Sequence, residues 1–295
     1  MTALAAFIGA GVTVQKYFSD TNIQRKEENK LRIKEFKEEK LNKKREFEEK
    51  IAVFIEKLCS DSLGLQASAA ASLLGIIRPD NREYLDPILP VLTINLKNEL
   101  GRKFIILNCL TRTLEKCLQL MLDDDSAIRQ DLEDIDLTRT KLIRPNLEKL
   151  IFRGIKVDIA FADLKQANLE SSDLHRLRGM RVILKNAKLS GTTLQEARLN
   201  KSQCQRANFE DGNLVSATFK FADLRNANFI GAKLQSAHFE NSDIRDAKFD
   251  NANLNDAYFY GAKLNDVTKR NIIKAKHWQK AHFDKNVKLE LELQL

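Results

Sequence analysis

Ala162-Asp163-Leu164-Lys165-Gln166 is followed by Ala167-Asn168-Leu169-Glu170-Ser171, and the same five-residue frame runs on to Asp266. Over residues 162–266 the frame holds for 21 pentads. The third position is Leu, Phe, Ile or Cys everywhere except Gly179, and the first is Ala, Ser, Gly or Thr everywhere except Leu177 and Val182. A period of five is neither the 3.6 of a helix nor the 2 of a plain strand, so the repeat itself governs the fold. Along a short extended segment, residues two apart share a face, which turns both the small residue and the large one inward. A corner must follow before the next such pair. Short sides joined by corners make a coil, and its narrow interior limits one inward position to groups the size of Ala.

The large residues indicate the size of the coil. After Leu164, Leu169, Leu174 and Leu194, the centres Phe209, Phe219, Phe229, Phe239, Phe249 and Phe259 alternate with Leu214, Leu224, Leu234, Ile244, Leu254 and Leu264. An alternation of period ten fits four pentads per turn, since residues twenty apart then stack Leu on Leu and Phe on Phe. Three pentads per turn would mix the two in every column.

On these residues the chain resembles the pentapeptide-repeat family, whose motif is A(D/N)LXX. Ala-Asp-Leu recurs at 162 and 222, Ala-Asn-Leu at 167 and 252, and Ala-Asn-Phe at 207 and 227. The resemblance covers roughly residues 131–266 and implies a right-handed, four-sided parallel β-helix; the handedness comes from the resemblance alone. The fold class expected is mainly β: that solenoid, preceded by a long charged helix and a small α-helical domain.

Outward from the repeat, residues 126–266 form the expected coil. Its first turn carries Gln130, Ile135, Thr140, Pro145 and Leu150 in the small slots, too bulky for a regular interior, so this turn should be wider or distorted. Between Phe152 and Ala162 the frame slips by two residues, and a bulge or short loop is expected at Gly154 to Asp158. A second break, at Leu177 to Val182, reads as a local bulge in which Leu177 and Val182 compensate for the missing side chain of Gly179. Around it Arg176, Arg178, Arg181, Lys185 and Lys188 fall at outward positions, joined by Met180 and Ile183. A basic face with exposed apolar groups is a candidate contact site for an acidic partner.

Residues 1–18 open with an apolar run, Met1 to Val14, with no charge before Lys16. It is shorter than the roughly 20 residues of a spanning helix and lacks a secretory n-region. Three readings compete: a short membrane anchor over residues 1–15, a helix buried against another copy or a partner, and a packed cap. Residues 19–50 are dense in charges of both signs with no Pro or Gly, which reads as one long helix with Ser19 or Asp20 as N-cap. Its apolar positions, Ile23, Leu31, Ile33, Phe36, Leu41 and Phe47, are too irregular for clean heptads, leaving a solvated stalk or half of a loose coiled coil. Residues 51–125 read as a small helical unit, with helices around Ile51 to Leu58, Leu65 to Ile77, Leu85 to Leu100 and Phe104 to Leu120, serving as a lid on the coil or as a groove for a partner. Residues 267–295 should cap the far end: Asn265-Asp266 start a short helix, Trp278, Ala281 and Phe283 give apolar cover, and the alternating Leu289, Leu291, Leu293 and Leu295 read as a strand closing an otherwise open end.

Chemistry finds little support. His175, His238, His277 and His282 are scattered, and none shares a metal-ligand spacing with a Cys. Asp123-Asp124-Asp125 lacks the alternation and Gly of a calcium loop. Cys204 should be a buried thiol at a coil centre, and Cys59, Cys109 and Cys117 fall in the helical unit, which with the missing signal favours a reducing, cytoplasmic location, either free or on the membrane's inner face. No phosphate loop or nucleophile elbow is present, so no catalytic residue, cofactor or metal is expected. What is expected is a protein-interaction scaffold with a protein partner, tethered or assembled into homo-oligomers through its N-terminal helix. The resemblance offers an alternative, since some family members protect DNA gyrase from quinolones by imitating DNA. That needs a strongly negative rod, whereas residues 131–270 carry 23 Lys and Arg against 19 Asp and Glu, a balance of +4. Direct nucleic-acid binding is disfavoured too, because no outward face interleaves aromatics with bases.

Overall fold

The computed structural model describes residues 2–58, 60, 62–77, 92, 104–121, 134–137, 140, 145, 147 and 156–293. The backbone forms two compact units, residues 1–53 and 54–295.

Helix α1 runs unbroken from Thr2 to Leu58. Ser19 and Asp20, expected as an N-cap, are instead interior helical residues: strong helix formers on their C-terminal side outweigh the few tenths of a kcal/mol, roughly, that each residue costs. Leu31, Ile33, Phe36 and Leu41 are exposed, and i,i+4 pairs such as Lys43–Glu39 and Lys50–Glu46 line the helix. In the second unit, α2 (Leu63–Ile76) is capped by Ser62, whose hydroxyl accepts from the Leu65 N–H. It packs against α3 (Phe104–Met121). Ala69, Ala70, Leu73, Leu110, Leu114 and Leu118 are among their buried residues. The helix expected over Leu85 to Leu100 lies outside the described residues except Leu92, which is helical and buried. The lid reading rests on the junction at 122–133, also outside them.

From residue 158 onward every bridge is parallel and joins residues twenty apart, from Asp158–Arg178 to Asp243–Lys263. The coil therefore has four sides. At each side the small residue and the centre point inward, and the strand pairs with the coils on either side: Ile183 N–H donates to Ala162 O in the coil before at 2.9 Å, and Leu184 N–H donates to Gln203 O in the coil after at 2.8 Å. Each corner is a β-turn in which the next small residue donates back to the centre, as Ala167 N–H does to Leu164 O at 3.1 Å. The fifth residue of the pentad sits there at positive φ, as at Gln166 (57°), Arg181 (57°) and Phe221 (60°). Such a conformation costs an L-residue roughly 1–2 kcal/mol. It is held because the N–H of that residue bonds to the next coil, Gln166 to Lys185 O at 2.9 Å. The Asp or Asn of the motif supports the same corner: Asp163 and Asn168 accept through side-chain oxygens from the N–H two residues on.

The described residues of the first coil follow the same pattern offset by two. Strand β1 (Asp134–Asp136) pairs with β2 (Lys156–Asp158) in the register Asp134–Lys156, a separation of 22. Leu137, Thr140 and Leu147 are buried, and the Thr140 hydroxyl donates to Leu137 O at 2.8 Å. The expected bulge at Gly154 to Asp158 falls partly outside the described residues, its last three being β2.

The bulge expected at Leu177 to Val182 is absent. The ladder crosses it in register through Asp158–Arg178–Arg198, and Leu177 and Val182 are fully buried. A Cβ on Gly179 would meet Leu199 Cδ2 at 2.7 Å and Val182 Cγ1 at 3.3 Å. Val182 in the next pentad and Leu199 one coil on thus occupy the volume of the missing side chain, and the backbone has no need to bend.

In the interior the phenylalanines form two stacked columns. Phe209, Phe229 and Phe249 stack at 4.9 and 5.3 Å, and Phe219, Phe239, Phe259 and Phe283 at 5.4, 4.9 and 4.8 Å. The columns meet edge to face, as Phe229 does with Phe239 at 5.6 Å. Leu164, Leu169, Leu174, Leu194, Leu214, Leu224, Leu234 and Leu254 are buried with them, while Leu264, expected in the core, is only half-buried at the last coil. Hydroxyls in small slots are spent on the backbone: Thr192 donates to Leu169 O and Ser242 to Phe239 O.

Asn265 caps α4 (Asp266–Ile272) by accepting from the Thr268 N–H. The chain then extends the ladder by pairing Lys276 with Asn253 and His282 with Tyr258, and Trp278 and Phe283 are buried. The strand expected over Leu289 to Leu295 is instead helix α5 (Lys285–Glu292), with Leu291 buried and Leu289 and Leu293 exposed; Leu295 lies outside the described residues. Lys, Leu and Glu all favour helix, and the end is already closed by the 276–283 segment, which leaves the period-two leucines no edge to join.

Burial pushes the Cys204 and Cys117 thiols up to about 12, against slight opposing effects of Ser202 and Lys116 respectively. Iodoacetamide at pH 8 followed by peptide mapping is expected to leave both unlabelled in the native protein and label both in urea. Because the unfolded thiols ionise first, stability should fall as pH rises from about 9 toward 12.

Candidate interaction surface

Each pentad leaves its second, fourth and fifth residues outside, and stacking at twenty sorts them into four faces and four corners. One face carries Asp158, Arg178, Arg198, Thr218, His238 and Tyr258, with His282 continuing it. Its upper part is an aromatic ladder, His238 on Tyr258 at 4.7 Å and Tyr258 on His282 at 4.6 Å, with His238 Nδ1 2.9 Å from Glu240. Its lower part is two stacked, exposed arginines with the half-buried Asp158 one coil beneath them.

The corner after this face is built from Phe161, Met180-Arg181, Asn200-Lys201, Lys220-Phe221, Glu240-Asn241 and Tyr260-Gly261. Phe161, Met180, Phe221 and Tyr260 are 40, 46, 58 and 45% exposed, and they are all the large apolar residues of residues 158–264 that are so exposed. Between them stand cations: the Arg181 guanidinium lies 5.6 Å from the Phe161 ring centroid and the Lys201 ammonium 6.0 Å from that of Phe221.

Charge is unevenly placed along the coil. Residues 174–209 hold eight Lys and Arg and a single carboxylate, Glu196. Of the six residues that the sequence singles out, the structure brings Arg178, Met180 and Arg181 together. Arg176 is on the preceding corner and is paired with Glu196 at 2.8 Å, a hydrogen bond that holds the Glu196 carboxyl below its usual range. Lys185 is on a different corner and Lys188 on the opposite face, ten residues, or half a coil, from Arg178. The expected basic face is therefore a belt, because outward residues in one coil point in four directions. Arg198 and Lys201, one coil beyond, and the aromatics Phe161, Phe221 and Tyr260 escaped sequence reading; counting by twenties from Arg178 and Arg181 finds them.

The neighbouring face contrasts with this one. There Arg225 pairs with Asp223 at 2.7 Å, Arg245 with Asp243 at 2.6 Å and Lys165 with Asp163 at 3.1 Å. Partial burial works against the Asp223 carboxylate, but hydrogen bonds from Arg225 and Gln205 outweigh it and lower its pKa; the Arg245 hydrogen bond does so for Asp243. Arg178, Arg181, Arg198 and Lys201 have no ion pair with any described residue within 4.0 Å. Among the described residues no three of His, Cys, Asp or Glu form a metal-binding group.

Family models of pentapeptide repeats match residues 158–200 and 181–214, and the pentapeptide-repeat region model matches 202–278. Among solved structures, HetL, a pentapeptide-repeat protein involved in heterocyst differentiation regulation in the cyanobacterium Nostoc sp., matches at 25% identity over 45% of this chain and 66% of its own, with a TM-score of 0.26. Rfr23 from the cyanobacterium Cyanothece matches at 25% identity, 43% and 64% coverage and TM-score 0.17. Full-length QnrB1, a plasmid-mediated fluoroquinolone resistance protein, matches at 19% identity, 55% and 94% coverage and TM-score 0.22. The chain thus spans just under two thirds of the first two of these relatives. No curated protein matches.

Proposed function

The chain belongs to the pentapeptide-repeat family through residues 158–278, and from that premise we propose that it is a non-enzymatic scaffold whose outer coil faces bind another protein. The observation that supports this reading is the division of labour within the pentad. Inward positions are packed solid with Phe, Leu and Ala, leaving chemistry to the outward ones, and there Arg178, Arg181, Arg198 and Lys201 have no ion pair with a described residue, while Lys165, Arg225 and Arg245 on the neighbouring side are paired. Unsatisfied charge beside exposed apolar groups is what an interface offers before it is occupied. The alternative, imitation of DNA toward gyrase, is opposed by the positive balance of the coil.

The test is a photo-crosslinking amino acid placed, one position at a time, at Arg198, Gln203, Asn208 and Asn213, which sample the four faces of one coil, in the full-length protein in its native cells. The scaffold reading predicts adducts to one discrete protein from one face and its adjoining corner. Equal labelling from all four, or no protein adduct from any, would defeat it.

Helix α1 supplies a second element. Its exposed Leu31, Ile33, Phe36 and Leu41 suit assembly with another copy. No helix among the described residues is long and apolar enough to cross a membrane. Sedimentation of the full chain should give an oligomer that Phe36→Asp dissociates; a monomer at all concentrations removes this role.

A further inference from the structure

We infer that the ridge formed by the Arg178 face and the corner after it is a docking site for an extended acidic peptide segment carrying apolar side chains, which specifies the partner chemistry and rests on the scaffold reading above.

Three features fix the occupant. The first is pattern: Phe161 and Phe221 are three coils apart at the same corner position, and at about 4.8 Å per coil this is roughly 14 Å, the reach of about four residues of extended chain. Arg181 and Lys201 occupy the two intervening coils at that same position, with Arg178 and Arg198 beside them on the face. An apolar residue, an acidic stretch and a second apolar residue four positions on would meet this ridge in order. The second is charge: four cations without described ion-pair partners face a ligand that must supply carboxylates. Arginine favours planar, bidentate carboxylate partners. The third is what stands at the margins. Glu196 lies on the corner before the face, Asp158 stands on the face one coil below Arg178, and Glu240 lies further along the ridge, 3.0 Å from the Lys220 ammonium. A single extended segment along the corner from Phe161 to Phe221 stops short of Glu240 and leaves the other two to one side, whereas a bilayer surface resting on the face would meet all three. Duplex DNA would leave Met180, Phe161 and Phe221 without apolar partners and find cations on only three coils, the last of them, Lys220, already paired with Glu240. Apolar anchors set among cations favour a peptide that has both groups.

The experiment uses the full-length protein and fluorescence anisotropy of a synthetic peptide in which two Phe four residues apart enclose Asp and Glu. The probes beside it are a peptide of the same charge with Ser for Phe, phosphatidylserine vesicles and a short DNA duplex. Saturable binding of the Phe-bearing peptide is expected, about tenfold or more above that of the Ser peptide. Arg178→Gln with Arg198→Gln should lower it about tenfold, and Phe221→Ser should do so independently, while Lys188→Glu on the opposite face leaves it within about twofold. These positions point outward, and unchanged circular dichroism and melting would verify the fold. Failure of the peptide to bind, equal loss from Lys188→Glu, or face-dependent binding of the vesicles or duplex instead would overturn the assignment. If photo-crosslinks to a protein arise only from a different face, the ridge falls and the scaffold reading survives; if none arise anywhere while the peptide binds, the reverse holds.

Discussion

Replacing Phe229 with Ala is expected to lower the free energy of unfolding by about 3–5 kcal/mol, the range for deleting a fully buried aromatic. Phe229 is completely buried and sits at the crossing of the two columns, stacked on Phe209 and Phe249 and edge-on to Phe219 and Phe239. Its removal cancels four ring contacts, each worth roughly 0.5–1.5 kcal/mol beyond burial. The cavity left behind cannot easily collapse, because the hydrogen-bond ladder on each side fixes the distance between coils. Urea denaturation followed by circular dichroism is the measurement. The exposed Phe221, changed to Ala in the same way, should move the midpoint little. A comparable loss from both would mean that the inward and outward assignments are wrong.

Gly179→Leu carries the second large effect, and its direction is informative because the change restores the residue type of the repeat. A consensus view predicts stabilisation. The geometry predicts a loss of about 1–3 kcal/mol, the usual result of overpacking, since even a Cβ would lie 2.7 Å from Leu199 Cδ2 and 3.3 Å from Val182 Cγ1. Val182→Ala alone should also destabilise, by opening the gap that Val182 Cγ1 fills. The double variant, Gly179→Leu with Val182→Ala, puts a large centre beside a small slot again and should recover part of the loss. A double-mutant cycle in urea measures the coupling; additive effects would show that these side chains do not share one volume.

The coil was legible because its packing rule is local. A small residue and a large one, two apart, recur without exception from 187–189 to the last pentad, and the alternation of Phe with Leu carries the number of sides. Where the sequence misled, a non-local condition decided. The break at Gly179 looked like a bulge because the pentad, taken alone, lacks a filler; the fillers are Val182 in the next pentad and Leu199 one coil away. The terminal leucines alternate as a strand would, yet the solenoid end they were to cover is taken by the 276–283 segment, and α5 forms instead. The interaction ridge was half legible. Arg178, Met180 and Arg181 are neighbours in sequence and in space, but their companions Arg198, Lys201, Phe161 and Phe221 lie twenty or forty residues off, and only the coil period brings them together.

That period therefore governs both fold and ridge. It can be measured with paired cysteines at outward positions in full-length protein, oxidised under mild conditions and scored by mass spectrometry. Asn213→Cys with Lys233→Cys, a bridged pair twenty apart, should form a disulfide readily, since stacked strands bring Cα atoms to roughly 5 Å, within the bonding range. Thr218→Cys with Lys233→Cys, fifteen apart, should form none, because these residues stand on adjacent sides. A disulfide in the second pair and not in the first would mean a three-sided coil and would contradict the account.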